Sequence, residues 1–184
     1  MNKNNLIHLI LSLIAFVLAY SIAYLTGIDL VKQVVLYAFL IQWVLFIPAY
    51  IFQTEKFYDL SGSFTYIFVI CYVSYSFYLE NGINIGNIIL GGAIIIWAIR
   101  LGSFLFFRIH NAGEDKRFRN IKPSATRFFM TWTLQGMWVS ICSACALTAI
   151  STSKGVQVNS LLYVGLAFFL IGFLIEVVAD SQKS

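Results

Sequence analysis

The sequence predicts an all-α protein, a single bundle of about six transmembrane helices. Of its 184 residues, 60% are hydrophobic and only 11% are charged, whereas average soluble proteins carry charges on about a quarter of their residues. The apolar residues also come in runs of about twenty, the length that an α-helix needs to cross a hydrocarbon layer about 30 Å thick. One compact bundle is the natural domain count at this length, so we treat residues 1–184 as one transmembrane domain.

The first three spans are predicted at about 6–25, 31–52 and 64–79. The first is too long for a typical signal-peptide core, and a turn at Gly27–Asp29 separates it from the second. The polar stretch 53–63 then breaks the chain before the third span. In that span Tyr72, Tyr75 and Tyr78 recur at helical spacing. They form either an aromatic belt at the membrane interface or the wall of a pocket.

The last three spans are predicted at about 85–107, 127–150 and 161–179. A tight turn at 80–84 precedes the fourth span, which carries Arg100 in its second half. Pro123 indicates the entry to the fifth span, because proline suits the first turn of a helix. Gln135 lies inside the fifth span, and the polar turn 151–159 leads to the sixth.

The basic residues predict that both chain termini are cytoplasmic. With six spans, both termini lie on the same side, and Lys and Arg favour cytoplasmic loops. The opposite side receives only Lys32 and Lys154, and Arg100 is intramembrane. Nine basic residues fall on the side of the termini: Lys3, Lys56, Arg108, Lys116, Arg117, Arg119, Lys122, Arg127 and Lys183.

The net charge of +4 does not indicate a nucleic-acid partner. The basic residues sit in short loops between spans, and membrane topology explains that placement better. The three cysteines, Cys71, Cys142 and Cys145, lie inside predicted spans. Cys142 and Cys145 form a Cys-x-x-Cys, for which we expect small-residue packing instead of redox chemistry, because nothing near them in sequence would lower a thiol pKa.

A polar loop at 108–122 and the charges that end two spans are the candidate site. Arg100 and Arg108 lie on the fourth span, while Glu176 and Asp180 share one face of the sixth because they are four residues apart. Arg100 either extends its side chain to the interface or is paired, since an unpaired charge in the membrane is costly. We expect Arg100 or Arg108 to pair with Glu176 or Asp180. The pair is either structural or part of a carboxylate–arginine network under a ligand.

The sequence holds no cluster with the spacing of a metal site, no glycine-rich nucleotide fingerprint and no nucleophile elbow. From the residues alone, it predicts a membrane protein with an arginine-rich cytosolic site able to bind an anion. It names no reaction.

Several motifs, covering the chain from Lys56 onward, resemble those of bacterial membrane proteins related to the steroid 5-alpha-reductases. Many proteins of that group are known only by a domain of unknown function. The motifs, in order, are Lys56-Phe-Tyr-Asp-Leu-Ser-Gly-Ser-Phe-Thr-Tyr66, Trp97-Ala-Ile-Arg-Leu101 with Arg108, Gly113-Glu-Asp-Lys-Arg-Phe118, Leu134-Gln135 with Trp138, and Gly172-Phe-Leu-Ile-Glu-Val-Val-Ala-Asp-Ser-Gln-Lys183.

This resemblance implies a multi-span helical enzyme that uses NADPH from the cytosolic side. Such enzymes reduce a carbon–carbon double bond beside a carbonyl. The implied partners are membrane lipid and a hydrophobic small-molecule substrate, and the implied location is the bacterial inner membrane. Carried over by motif, the residues at the cofactor end are Arg100, Arg108, Asp115, Arg117, Glu176, Asp180 and Gln182.

One departure from the family pattern concerns the end of the chain. In the family the chain continues into further helices that carry an Arg-His-Pro-Asn-Tyr motif, whereas this sequence ends at Ser184 without it. We therefore expect the chain as given to be truncated and inactive as a reductase. Two alternatives remain. One is a non-catalytic membrane protein, and the other is an enzyme like the isoprenylcysteine methyltransferases, which use S-adenosylmethionine.

Overall fold

The computed structural model describes residues 3–182, and within them it contains α-helices and one short 3₁₀ helix but no β-strand. The six α-helices are α1 (Lys3–Leu25), α2 (Asp29–Ile51), α3 (Tyr58–Asn81), α4 (Ile85–Ala112), α5 (Ala125–Ser151) and α6 (Ser160–Ser181). All six are long and apolar enough to span a membrane. The predicted fold class is therefore confirmed: the chain is an all-α, multi-pass integral membrane protein.

Successive helices run in opposite directions, so α1, α3 and α5 begin where α2, α4 and α6 end. We call this the basic end, because the loop between α4 and α5 lies there and carries the 3₁₀ helix Lys116–Phe118. Contacts between distant parts of the chain tie this end together. His8 Nδ1 of α1, for example, lies 3.2 Å from Thr126 Oγ1 of α5. Whether the basic end is cytoplasmic stays a prediction, and Lys183 lies outside the described residues.

Helix α5 is the centre of the bundle and packs against α1, α2 and α3. The interior of this four-helix group is mostly apolar and includes the fully buried Phe39, Phe128 and Trp132. Close approach of the helices depends on small residues. At Gly136, for instance, an added Cβ would lie only 3.0 Å from Cδ1 of Phe39.

Helix α3 begins at Tyr58, so the expectation that the polar break extends to residue 63 was wrong. Ser61 donates to its own helix backbone at the Tyr58 carbonyl (2.6 Å) and lies 3.2 Å from Gln42 Oε1. The Gln42 amide donates to Thr65 Oγ1 at 2.8 Å. Because these polar groups satisfy one another, the first turns of α3 can be helical and buried inside a membrane protein.

Helices α4 and α6 lie outside the central group. α4 packs along α3, and at Gly102 an added Cβ would lie 2.4 Å from Ser63 Oγ. Among the described elements, α6 contacts α4 alone, and no residue of α6 is buried. The interaction between α4 and α6 therefore determines where α6 lies.

Two smaller expectations stay open. The three cysteines are free and exposed on the helix surfaces, and Cys142 lies beside Tyr66 of α3, so the packing role of Cys142 and Cys145 stays a prediction. Tyr75 and Tyr78 are exposed, as an aromatic belt requires, and they also border a cavity of about 280 Å³. Both interpretations of the tyrosine series therefore remain open.

Candidate functional site

An ion-pair cluster joins α4 to α6 and consists of Arg100, Glu176 and Asp180. Arg100 Nη1 lies 2.6 Å from Glu176 Oε1, and Nη2 lies 2.6 Å from Asp180 Oδ2. The two carboxylates can share one guanidinium because a spacing of four residues puts them on one face of α6. This confirms the expected pairing of Arg100 and rules out the alternative that its side chain only extends to the interface.

The cluster carries one more negative than positive charge, since one guanidinium faces two carboxylates. Trp97, one turn before Arg100, donates its indole N–H to Glu176 Oε2 at 3.0 Å. The contact to Asp180 Oδ2 lacks hydrogen-bond geometry within the described part of the chain, so charge alone holds that oxygen. Glu176 is the most exposed of the three, with 34% of its side chain accessible. Its carboxylate can therefore accept a further hydrogen bond.

Arg108 does not join this ion-pair cluster, but it lies close to it. The guanidinium carbon of Arg100 lies 5.4 Å from the centre of the Phe104 ring, and that of Arg108 lies 5.8 Å from the same centre. Because the two cations share one aromatic ring, their separation is at most the sum of those distances, about 11 Å. Among residues 3–182, Arg108 forms no ion pair with a carboxylate.

The loop after α4 is built around Asp115. Asp115 caps the 3₁₀ helix by accepting the Arg117 backbone N–H at 2.9 Å, and its Oδ2 lies 2.5 Å from Arg117 Nη2. Hydrogen bonding to the Arg117 guanidinium lowers the pKa of Asp115, and the same contact raises the pKa of Arg117. Nearby, Arg119 pairs with Glu114 on the surface. These contacts fix the direction of the Arg117 side chain.

Glu55, which the sequence reasoning did not single out, anchors this loop to the rest of the protein. Its side chain is only 2% exposed. One carboxylate oxygen lies 2.5 Å from Lys122 Nζ, and the other accepts the Asp115 backbone N–H at 2.9 Å. Only one sign of this role is visible in the sequence, an acidic residue in the break between α2 and α3. The two contacts join Glu55 to residues 60 and 67 positions later, and such distant partners cannot be recognised from sequence spacing.

A groove of about 510 Å³ lies between the end of α4 and this loop, and it is the part of the site that could hold an anion. Lys116, like Arg108, forms no direct ion pair within residues 3–182, although Glu114 lies near Lys116 and Asp115 near Arg108. No carboxylate contact therefore occupies the donors of these two side chains. A phosphate would find the charge-assisted donors that it needs here. The groove is lined by Arg108, Ile109, Ala112, Glu114, Asp115, Lys116 and Arg117.

The seven residues carried over by resemblance thus fall into two neighbouring groups and one outlier. Arg100, Glu176 and Asp180 form the ion-pair cluster. Three others, Arg108, Asp115 and Arg117, line the groove. Gln182 is exposed just after α6, where its backbone N–H donates to the Val178 carbonyl at 3.2 Å. Across residues 3–182, no three His, Cys, Asp or Glu side chains are grouped as a metal site would require.

Comparison with protein families identifies the family of the chain. A family model described as protein of unknown function (DUF1295) matches residues 45–184. The match covers more than half of the chain. The chain belongs to the DUF1295 family.

Membership of the DUF1295 family does not indicate an activity, because the family is described as one of unknown function. The matched range begins inside α2 and includes Glu55 and every residue of the ion-pair cluster and the groove. A comparison with curated proteins and a comparison with solved structures each found no match to the chain.

Proposed function

We propose that the chain binds NADPH at its basic end. The reaction served by this binding would be the reduction of a carbon–carbon double bond conjugated to a carbonyl in a lipid-like or steroid-like substrate. One observation carries the proposal: a groove with two cations that form no direct ion pair within residues 3–182 lies next to a cluster with carboxylate oxygens able to accept hydrogen bonds. A dinucleotide combines phosphates with hydroxyl and amide groups, so it needs both kinds of partner.

The groove residues fit the phosphates of such a cofactor. Arg108 and Lys116 would bind phosphate oxygens directly. Arg117 would present the guanidinium edge that Asp115 leaves free, with Asp115 fixing its direction. NADPH, when bound, supplies a hydride, and the residues of this chain bind and orient it.

The ion-pair cluster fits the uncharged parts of the cofactor. Arg100 is already neutralised by two carboxylates, so it is a poor partner for a phosphate. The partly exposed Glu176 can accept a hydrogen bond from a hydroxyl or an amide N–H, while Trp97 and Arg100 hold its position. This division of roles assigns the negative parts of the ligand to the groove and the hydrogen-bond donors to the cluster.

A second candidate, a non-catalytic membrane protein, is favoured by a different observation. Four cations at the basic end are already neutralised by carboxylates, as expected where charges serve only packing and topology. They are Arg100, Arg117, Arg119 and Lys122. This candidate explains those four but assigns no role to Arg108 and Lys116, which form no direct ion pair within residues 3–182.

The thermal stability of the purified full chain with and without ligands tests the proposal. A ligand that binds only the folded state stabilises it by about 2.7 kcal/mol at 100 times its dissociation constant. We expect NADPH to raise the melting temperature and S-adenosylmethionine to leave it unchanged. A rise with S-adenosylmethionine alone would support the methyltransferase-like alternative, and no rise with either ligand would support the non-catalytic one.

Matched variants locate the binding site. We expect Arg108→Gln to weaken NADPH binding by about 10- to 150-fold, since a hydrogen bond to a charged group contributes about 1.5–3 kcal/mol. Lys56→Gln is the control, because it removes the same charge at the basic end but lies outside the groove. Equal weakening in both variants would indicate general attraction to positive charge and would contradict the proposed site. An enone-dependent loss of nicotinamide absorbance then reports whether the bound cofactor is used.

A further inference from the structure

Another cavity lies on a different face of the bundle from the groove, in a crevice between α2, α3 and α4. Its volume is about 470 Å³, within the range of small-molecule sites, and its wall is almost entirely apolar. Exposed side chains border it, among them Leu60, Phe64 and Ile99, so it is reached from the membrane. The lining residues are Leu45, Phe57, Leu60, Ser61, Ser63, Phe64, Ile67, Ala98, Ile99, Gly102 and Ser103.

Ser63 is a buried residue whose hydroxyl has no partner and is accessible from this crevice. Its exposure is 8%, it lines the cavity, and within residues 3–182 its Oγ makes no hydrogen bond. Other buried serines of the helices do bond to a backbone carbonyl one turn earlier, for example Ser140 to Gly136 (2.8 Å) and Ser143 to Val139 (2.6 Å). A buried hydroxyl without a partner is unfavourable in an apolar medium. The Ser63 hydroxyl can therefore donate a hydrogen bond to an acceptor on a molecule bound in the crevice.

The packing at this point makes room for the hydroxyl. Gly102 of α4 lies opposite Ser63, and a Cβ added there would lie 2.4 Å from Ser63 Oγ and 2.6 Å from Ser63 Cβ. Glycine at 102 thus lets α4 pass close to α3 while the Ser63 side chain stays beside the cavity.

The depth of Ser63 indicates which acceptor it would meet. Ser63 follows Tyr58, the first residue of α3, by five positions, which corresponds to roughly 7.5 Å along the helix axis. Helix α3 has 24 residues and is about 36 Å long, so when centred on a hydrocarbon core about 30 Å thick it extends about 3 Å beyond each side. Ser63 then lies about 4–5 Å inside the hydrocarbon boundary. Its side chain tilts toward the start of the helix, that is, toward the level of the phospholipid ester carbonyls.

We propose that this crevice holds one acyl chain of a membrane phospholipid, with Ser63 Oγ donating a hydrogen bond to the ester carbonyl. The acyl chain packs against the apolar wall, and the headgroup stays at the basic end. The helical spacing of α4 puts Ala98 and Gly102 on a face different from that of Arg100 and Phe104. The lipid site is therefore separate from the ion-pair cluster and does not depend on the proposed NADPH binding.

Photo-cross-linking of the full chain in vesicles tests the lipid site. The vesicles contain phosphatidylethanolamine and phosphatidylglycerol, with a trace of phosphatidylethanolamine that carries a diazirine in its acyl chain. We expect cross-links to concentrate at residues 60–67 and 98–103 compared with the lipid-facing groove of α1 at residues 13–25, which is likewise apolar. Labelling spread evenly over all lipid-facing surfaces would overturn the proposal.

Two sets of variants test separately whether the lipid occupies the crevice and whether Ser63 forms a hydrogen bond with it. Ser103→Trp fills the crevice from an exposed position and should abolish the concentrated labelling, whereas Cys71→Trp, on an exposed surface of α3 outside the crevice, should not. Ser63→Ala should lower the labelling about two- to tenfold, the ratio that one net hydrogen bond gives, and Ser143→Ala is its control. Unchanged labelling in Ser103→Trp would overturn the site, and unchanged labelling in Ser63→Ala would overturn the hydrogen bond.

Two further measurements address a variant that does not fold and the identity of the bound molecule. If Ser103→Trp does not fold, Leu60→Trp fills the same crevice from another exposed position. Competition with a free fatty acid or with a steroid-like enone identifies the occupant. Displacement of the labelled phospholipid by the enone at a much lower concentration would assign the crevice to a substrate and would contradict the phospholipid assignment.

Discussion

At the scale of single residues, Arg100 shows how a charge is accommodated among apolar helices. It is surrounded by two carboxylates and the Phe104 ring. A cation in a membrane is unfavourable unless it is paired. The pairing also binds α6, which among the described helices contacts α4 alone. One side chain therefore neutralises the charge of its own helix and positions a second helix.

The first prediction concerns this arginine. Arg100→Gln leaves Glu176 and Asp180 facing each other without a counter-charge. We expect the free energy of unfolding to fall by about 1–3 kcal/mol, less than the 3–5 kcal/mol of a fully buried pair because the three side chains are partly exposed. Arg108→Gln, which removes a cation without an ion pair, should change it by less than about 0.5 kcal/mol. Equal losses in the two variants, measured by detergent-titrated unfolding, would contradict the structural role of the ion-pair cluster.

The second prediction concerns Glu55 and the loop. Glu55→Ala removes the partner of Lys122 and the acceptor of the Asp115 N–H. Loss of a buried hydrogen-bonding partner costs about 1–3 kcal/mol, so the loop should open about 5- to 150-fold more often. Trypsin, which cuts after Lys and Arg, should cleave purified protein at Lys116, Arg117 and Arg119 faster by a similar factor.

Glu114→Ala is the control for the trypsin experiment. Glu114 pairs with Arg119 in the same loop, but that pair is exposed, and exposed pairs add little stability. Its cleavage rate should stay near that of the unchanged protein. A Glu55→Ala variant as resistant as Glu114→Ala would show that the loop is held by other contacts.

At the scale of helices, the sequence predicted the features that depend on long apolar runs or local spacing. It did not predict the features that depend on contacts between residues far apart in the chain. All six spans follow from hydropathy, and the Arg100 pairing follows from the four-residue spacing of Glu176 and Asp180. The start of α3 was missed because Ser61 is buried through a contact with Gln42 of another helix. Glu55 was missed for the same reason, since its partners come from a loop about sixty residues later.

The third prediction concerns the contact between α3 and α4. Gly102→Ala would bring a Cβ within 2.4 Å of Ser63 Oγ, and overpacking of this kind costs about 1–3 kcal/mol. Gly92 lies in the same helix with nothing within 4 Å of an added Cβ. Gly92→Ala should therefore stabilise the protein by about 0.4–1 kcal/mol, because alanine restricts the unfolded chain.

A double variant tests the cause of the destabilisation by Gly102→Ala. Combined with Ser63→Gly, which removes both clashing atoms, Gly102→Ala should cost less than it does alone. Combined with Ser63→Ala it should not be rescued, since Ser63 Cβ would still lie 2.6 Å from the new atom. Equal losses in the two double variants would place the strain elsewhere.

At the scale of the whole molecule, the charges divide the protein into two unlike ends. The basic end carries the loop, the groove, the ion-pair cluster and Glu55. The opposite end carries Lys32, which pairs with Asp29 at 2.5 Å, and Lys154. Because lysine and arginine favour the cytoplasmic side of short loops, this asymmetry predicts one orientation in the membrane. A site for a soluble anionic cofactor is reached from the cytosol only in that orientation.

The fourth prediction is that the basic end and both termini are cytoplasmic. In a chain whose three native cysteines are replaced by alanine, we introduce Ser153→Cys, in the turn at the opposite end, or Ser184→Cys at the C-terminus. A membrane-impermeant maleimide added to intact cells should label the first and not the second, and permeabilised cells should show labelling of both. The six spans require the two positions to lie on opposite sides, so equal accessibility from one side would contradict the six-span topology. Labelling of Ser184→Cys alone in intact cells would keep the spans but reverse the orientation. The groove would then face away from the cytosolic NADPH, and the proposed function would fail with it.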